Sequence, residues 1–296
     1  MLCGYGLFAA GCQFRSVDPV RVNLRAESAV ESVRFSSGDA MLAGDIHFPV
    51  GTPTVGVVVV HGSGREKRNS AMARRFAADG IATLTYDKRG VGESGGRYEG
   101  TYNISWDNLH LLAEDAAAAI RVLANHPRMR GRMIGLFGIS QAGWIIPIAA
   151  VKDRRVAFLV LWSGPVCRVS DELEHSIASA GTMAAEEAAR AQEGSAPQQV
   201  KLIRGYIAQI RAEGTDVDPQ PSLRQLAIPG LWLFGGTDVQ IPTELSARQL
   251  AALIAEGRSN FEQRTLPEAA HAMHGAGVEA YRITLDWMRA RASADK

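Results

Sequence analysis

Ser140 lies in a short pattern that can carry chemistry. The stretch "GISQAG" (138–143) follows the apolar run "MIGLF", so Ser140 falls where a buried strand is expected to end. The pattern G-x-S-x-G marks a sharp strand-to-helix turn that exposes a serine hydroxyl for attack. Here Ala142 replaces the second glycine of that pattern, and Gly143 comes one position late. Taken alone, the stretch predicts either a nucleophile or a serine that caps the next helix.

A serine nucleophile needs a base, and two histidines follow the last predicted strand. His271 and His274 lie in "LPEAAHAMHG", with His271 first after the strand. Reacting groups in open α/β sheets collect at the carboxyl ends of strands, so we favour His271 as the base. The alternatives are a surface histidine, or a metal site formed by the pair, for which no third ligand is evident nearby.

Asp238 supplies the third residue type that such a site requires. It follows the apolar strand "GLWLF" in the loop "GGTDVQIP", where a carboxylate can orient an imidazole. The alternative is an ordinary turn aspartate. The chain order Ser140, Asp238, His271 is the order associated with a nucleophile elbow. Three strand ends that supply the three types in this order favour a catalytic triad.

A glycine-rich loop is placed to stabilise an oxyanion. "HGSG" (61–64) follows the apolar run "VGVVVV". Its glycines let the main chain aim N–H groups inward, and the backbone N–H groups of Ser63 and Gln141 are the candidate donors. The alternative is a plain glycine-rich turn.

Strands and helices alternate around these residues from about Glu31 onward. "VGVVVV" and "GLWLF" are typical of strands buried on both faces, and "NLHLLAEDAAAAIRVLANHP" has the period of an amphipathic helix. "SVRFSSGDAMLAGDIHFPVG" predicts an antiparallel hairpin. The alternation predicts an α/β fold, with a mostly parallel central sheet and helices on both faces.

The alternation breaks once, between Val166 and Leu226. This stretch is polar, rich in Ala, Glu and Gln, and helical in period. We expect two or three helices there, forming a small cap at about 166–226 within a single domain at 28–296. Residues 1–27 are predicted to be an N-terminal tail.

The N-terminal tail contains a candidate lipidation site. "AAGC" places a small residue before Cys12, as in bacterial lipoprotein signals, and an apolar stretch precedes it. The match is incomplete because no Lys or Arg comes before Arg15. Export with a membrane tether through Cys12 and a simple tail both stay open, and we favour export.

Composition excludes several classes of protein. The 32 basic residues against 31 acidic ones give a net charge of +1, which offers no footprint for nucleic acid. No apolar run reaches the roughly 20 residues of a membrane helix. The three cysteines predict neither a disulfide framework nor a metal site.

Three of the tryptophans could line an apolar pocket, but we expect them in the core. They are Trp106, Trp144 and Trp162.

Together, "HGSG", "YDKRGVGESGG", "GISQAGW", "GGTDVQIP" and "PEAAHAMH" resemble an α/β-hydrolase of the esterase-like group related to dienelactone hydrolases and serine aminopeptidases. The resemblance spans about Glu31 to the C-terminus. It implies acyl transfer without a cofactor or metal, and a cap that shapes the pocket for a small-molecule ester. It also implies that the "DKRGVGES" loop is structural, so Asp87 and Arg89 receive no catalytic role.

We therefore predict a serine esterase that uses Ser140, Asp238 and His271. A thioesterase, a peptidase or an acyltransferase with the same triad is the nearest alternative. A hydrolase fold kept as a binding module without turnover is another. The sequence does not determine the natural substrate or the oligomeric state.

Overall fold

The computed structural model describes residues 29–99, 104–188, 196–258 and 260–294. Its central element is a sheet of eight strands in the order β1-β2-β4-β3-β5-β6-β7-β8. The strands are β1 (Val30–Ser37), β2 (Ala40–His47), β3 (Val55–Val60), β4 (Ile81–Tyr86), β5 (Ile134–Ile139), β6 (Val156–Trp162), β7 (Gly230–Gly235) and β8 (Phe261–Leu266). β1 pairs antiparallel with β2 and β2 with β4, whereas every other pair is parallel. The predicted hairpin and mostly parallel sheet are confirmed.

Eight α-helices of the described residues connect and cover these strands. They are α1 (Ser70–Ala78), α2 (Trp106–Asn125), α3 (Ala142–Lys152), α4 (Val169–Ala188), α5 (Ala196–Glu213), α6 (Gln220–Gln225), α7 (Thr243–Ala255) and α8 (Gly277–Ala294). Short 3-10 turns occur at Pro127–Met129 and His271–Met273. α1 gives way to Gly80, which takes a left-handed φ of 87° as a glycine just past a helix end commonly does.

Two apolar clusters occupy the two faces of the sheet. Because successive side chains of a strand point to opposite faces, Val58 and Val60 of β3 join one cluster, while Val57 and Val59 join the other. The first cluster includes residues of α2 and α3, and the second includes residues of α1 and α8. Burial on both faces explains why β3 and β4 are fully buried along their length.

The segment between β6 and β7 contains α4, α5 and α6. Ile207 and Ile210 of α5 are buried, and Val217 joins them in the first cluster. The side chain of Ser170, at the start of α4, hydrogen-bonds Asp216 in the loop after α5 at 2.7 Å. These helices occupy the stretch for which we expected a cap. Its role in shaping a substrate pocket stays a prediction.

Two of the three tryptophans considered above lie in the core. Trp144 and Trp162 are buried as expected, but Trp106 is 44% exposed, so its placement in the core was wrong. Trp106 opens α2 and stacks on His110, one turn along the same helix, with ring centroids 3.7 Å apart.

The N-terminal tail and Cys12 lie outside the described residues, so tethering through Cys12 stays a prediction. No helix in the described ranges combines the length and apolar character that crossing a bilayer requires.

Candidate active site

Ser140 lies in a strained turn between β5 and α3. Its φ is 58°, in the left-handed region that non-glycine residues rarely adopt. Small residues make this turn possible. A Cβ added to Gly138 would lie 2.4 Å from Cβ of Ala142, and one added to Gly143 would lie 2.5 Å from Pro165. The glycine that comes one position late is therefore required for close packing of α3 against the loop after β6.

The geometry does not support a helix-capping role for Ser140. The residue that caps α3 is Gln141, and it makes no side-chain capping bond. Within the residues that the structure describes, the Ser140 hydroxyl makes no hydrogen bond to any group of α3. By contrast, Ser105 caps α2 by accepting a hydrogen bond from the backbone N–H of Asn108.

Asp238 and His271 form a buried pair at the carboxyl ends of β7 and β8. His271 Nδ1 lies 3.0 Å from Asp238 Oδ2 and 3.2 Å from Oδ1. Asp238 Oδ1 also accepts the backbone N–H groups of Gln240 and Ile241. Burial alone would raise the pKa of Asp238, but hydrogen bonds from His271 and other donors outweigh it and lower that pKa. Asp238 is therefore ionised at neutral pH and holds a proton on His271 Nδ1.

His274, the competing base, is exposed, and no described contact joins it to Asp238. The structure thus brings together the predicted acid and the favoured base. It shows no hydrogen bond between His271 and the Ser140 hydroxyl among the described residues, a bond that is often loose without substrate. Nor do the described residues include a group of three His, Cys, Asp or Glu side chains that could hold a metal ion.

Ser163, which the sequence analysis missed, lies between the Ser140 turn and the Asp238–His271 pair. It follows β6, is fully buried and has a φ of 48°. Its hydroxyl accepts the N–H of Ala272, next to His271, and hydrogen-bonds Asp238. Its neighbour Trp162 accepts the backbone N–H of Ser140 at 3.0 Å. The end of β6 therefore contacts both halves of the candidate site.

Backbone strain concentrates around these residues. The non-glycine residues with positive φ in the described chain are Ser140, Ser163, Ala272 and Met273. All four lie at the end of β5, at the end of β6 or directly after His271. Such residues cost about 1–3 kcal/mol each and persist where the surrounding structure holds them, often at functional sites.

The "HGSG" loop runs beside Ser140. A Cβ added to Gly62 would lie 3.9 Å from Cβ of Ser140. Ser63 is exposed, and its N–H donates to no group in the described part of the chain. His61 donates from Nε2 to the carbonyl of Tyr86 at 2.6 Å. Burial and the charge of Lys88 lower the pKa of His61 to about 3, so His61 stays neutral and acts as a fixed support.

Helix α4 covers the Asp238 loop. His175 of α4 lies with Nε2 3.1 Å from the carbonyl oxygen of Val239. Glu172, one turn earlier, is partly buried near Asp238, and burial together with that charge raises its pKa to about 8. The segment between β6 and β7 therefore contributes side chains beside the candidate acid. The sequence analysis had assigned no residue of this helix to the site.

Comparison with known proteins agrees with this fold. The model of the family described as serine aminopeptidase, S33 (Hydrolase_4) matches residues 51–216, more than half of the chain. The chain belongs to this S33 family of α/β-hydrolases. The expected superfamily is therefore confirmed.

Individual relatives of this S33 family member match over shorter stretches. The polyketide transferase claH of Penicillium crustosum is 35% identical over 108 residues, covering 36% of this chain and 33% of that protein. The quorum-quenching protein AidA of Acinetobacter baumannii is 30% identical over 133 residues, covering 43% and 41%. The chain thus spans well under half the length of these curated relatives.

A solved structure supports the fold over nearly the whole chain. The Pyrococcus furiosus esterase Pf2001 superimposes with a TM-score of 0.62 over 90% of both chains, at 14% identity. Identity this low shows the shared α/β-hydrolase fold alone.

Proposed function

We propose that this protein is a serine hydrolase that cleaves a carboxylic ester through Ser140, His271 and Asp238. The observation that carries the proposal is the buried Asp238–His271 pair, which lies at the same edge of the sheet as the strained Ser140 turn. A capped helix or a turn aspartate requires neither the hydrogen bond between the pair nor the left-handed serine.

Each residue has a distinct role in the proposed reaction. Asp238 holds the proton of His271 on Nδ1, so that Nε2 is free to accept the proton of the Ser140 hydroxyl. The Ser140 oxygen then bonds to the acyl carbon, while N–H groups of Ser63 and Gln141 bind the oxyanion. The intermediate collapses, the C–O bond to the alcohol breaks, and His271 gives its proton to the leaving alcohol.

Water completes the cycle by the same route. His271 takes a proton from water, the hydroxide oxygen attacks the acyl-enzyme, and the Ser140 oxygen leaves with the proton from His271. The products are a carboxylic acid and an alcohol. This chain's own residues perform every step.

The relatives bear on the reaction class. Pf2001 is called an esterase, whereas claH is called a polyketide transferase. In a transferase the acyl-enzyme would meet an alcohol or amine in place of water. Thioesterase, peptidase and acyltransferase activities use the same residues, and their substrates are alternatives in the test below.

The test is hydrolysis of p-nitrophenyl esters of increasing acyl length by the wild type, Ser140→Ala and Ser105→Ala. We expect hydrolysis by the wild type, a loss of at least roughly 10³-fold in Ser140→Ala, and wild-type rates in Ser105→Ala. Ser105→Ala is the matched control because it removes a helix-capping hydroxyl, which costs about 1 kcal/mol of stability and no chemistry.

Two other results would contradict the proposal. Equal rates in the wild type and Ser140→Ala would show that Ser140 is not the nucleophile. A wild type that is inactive on every ester would overturn the esterase proposal, and thioesters and peptides would be assayed next.

A further inference from the structure

Lys88 is a buried lysine without a role in the reaction just described. It lies two residues past the end of β4, inside the "DKRG" stretch, and is 1% exposed. Its ammonium donates three hydrogen bonds: to the carbonyl oxygens of Gly62 (2.7 Å) and Gly64 (3.1 Å), and to Gln141 Oε1 (3.0 Å). An ammonium has three N–H groups, so these acceptors use its full capacity.

The bond to Gly62 determines where the Ser63 N–H points. A trans peptide is planar, and its C=O and N–H point in opposite directions. Because the Gly62 carbonyl points at Lys88, the N–H of Ser63 in the same peptide points away from Lys88. The preceding N–H, on Gly62, is held by Glu66 Oε2 at 3.0 Å. The N–H and the C=O of Gly62 are therefore both held by hydrogen bonds, to Glu66 and Lys88 respectively.

The third bond reaches the second candidate donor. Gln141 directly follows Ser140, and its side chain is held by Lys88 while its backbone opens α3. One ammonium therefore joins the two segments whose N–H groups are proposed to bind the oxyanion. These segments follow the neighbouring strands β3 and β5, whose paired residues end at Val60 and Gly138, so the bonds of Lys88 join the two segments beyond the end of the ladder.

The buried surroundings of Lys88 disfavour its charged form. Burial lowers the pKa of Lys88 to about 8, although the charge of Glu66 acts against the change. Burial also raises the pKa of Glu66, while Lys88 and the Gly62 N–H oppose that rise. The other titratable groups close by are His61, which is neutral, and Asp87, which is bound by Arg68. A buried charge is unfavourable unless its hydrogen bonds are satisfied, and here they are satisfied by the two loops.

We propose that Lys88 is a positioning residue that sets the oxyanion hole by holding the "HGSG" loop and the Gln141 turn at a fixed separation. This inference rests on the proposed function, because it needs Ser140 to form an oxyanion. Lys88 acts through the two backbone donors and does not touch the substrate.

Lys88→Met is the principal variant, and Lys67→Met is its matched control. Lys67 lies exposed in the loop between β3 and α1 that begins with "HGSG", so its substitution removes the same charge without disturbing these bonds. A portion of each protein is reacted to completion with a fluorophosphonate, in which the serine oxygen displaces fluoride, to count reactive Ser140 sites. The rate of p-nitrophenyl butyrate hydrolysis by an unreacted portion is then divided by that number of sites.

We expect Lys88→Met to lower kcat and kcat/KM per site together by roughly 10- to 100-fold, with Lys67→Met within twofold of the wild type. The inhibition constant of an aryl trifluoromethyl ketone, whose adduct carries an oxyanion, should rise by a similar factor. A purely structural lysine would lower the number of reactive sites and leave the rate per site unchanged, which would overturn the inference.

A second variant decides the matter if Lys88→Met yields no reactive protein. Gln141→Leu keeps the backbone N–H and Lys88 but removes one of the three acceptors, and we expect a three- to tenfold lower rate per site. A wild-type rate in Gln141→Leu would then overturn the inference. A wild type that neither labels at Ser140 nor hydrolyses esters would overturn the proposed function, and this inference with it.

Discussion

Replacing Asp238 by asparagine should move the proton of the neutral His271 imidazole from Nδ1 to Nε2. Both backbone N–H groups that bind the Asp238 carboxylate, from Gln240 and Ile241, go to Oδ1. These donors would hold the amide oxygen of the asparagine in that place. The amide nitrogen would then take the place of Oδ2, which lies 3.0 Å from His271 Nδ1.

An N–H group facing Nδ1 favours the imidazole tautomer with its proton on Nε2. That tautomer cannot accept the proton of Ser140, and the imidazolium that forms in the reaction loses a neighbouring negative charge. We expect kcat/KM to fall by about 10³- to 10⁴-fold, equal to about 4–5.5 kcal/mol of transition-state stabilisation. The two side chains have nearly the same shape, so the fold should persist.

The assay compares kcat/KM for p-nitrophenyl butyrate in the wild type, Asp238→Asn and Asp218→Asn. Asp218 is the matched control because it accepts the N–H of Gln220 two residues ahead, as Asp238 accepts that of Gln240. Asp218→Asn should stay within twofold of the wild type. If Asp238→Asn retained more than a tenth of wild-type activity while remaining folded, Asp238 would not set the tautomer and the reasoning would be wrong.

Further predictions concern the base, the packing of the turn and the buried lysine. His271→Ala should lower ester hydrolysis by at least about 10³-fold and His274→Ala by less than twofold, and the reverse result would transfer the role. Gly138→Ala should destabilise the fold by about 1–3 kcal/mol in urea unfolding, because its Cβ would lie 2.4 Å from another Cβ. Gly205→Ala, where nothing lies within 4 Å, should stabilise α5 by up to about 1 kcal/mol. Burial lowers the pKa of Lys88 from 10.5 to about 8, so between these values the folded protein binds fewer protons than the unfolded chain. The free energy of unfolding should therefore rise by about 2 kcal/mol from pH 7 to pH 10 relative to Lys88→Met, and equal pH slopes would contradict the burial of its charge.

The sheet and the Asp238–His271 pair could be predicted because parallel sheets obey a simple geometric rule. Apolar runs such as "VGVVVV" identify strands buried on both faces, and the carboxyl ends of parallel strands meet at one edge. Residue types at strand ends therefore reveal which groups can meet. His271 was favoured over His274 on this rule alone, and it is the histidine that lies 3.0 Å from Asp238.

The supporting residues could not be found in that way because their roles depend on tertiary burial. Lys88 lies in a polar loop, where a lysine is ordinarily solvated, and nothing local indicates that its ammonium ends between two other loops. Ser163 does stand at a strand end, in "LWSG", but it lacks a motif. Trp106 was misplaced for the same reason, since a large aromatic residue at a helix start carries no signal of which face it presents.

Strain explains why local patterns fail most around the site. A glycine indicates a left-handed backbone, and the "GISQAG" pattern predicted a sharp turn at Ser140, but Ser163 and Ala272 adopt this backbone without any such signal in the sequence. At about 1–3 kcal/mol each, these conformations would relax in an isolated segment, so neighbouring elements must hold them. Trp162 binds the N–H of Ser140 and Ser163 binds that of Ala272, and both belong to the end of β6. The end of β6 therefore anchors both the Ser140 turn and the residue that follows His271.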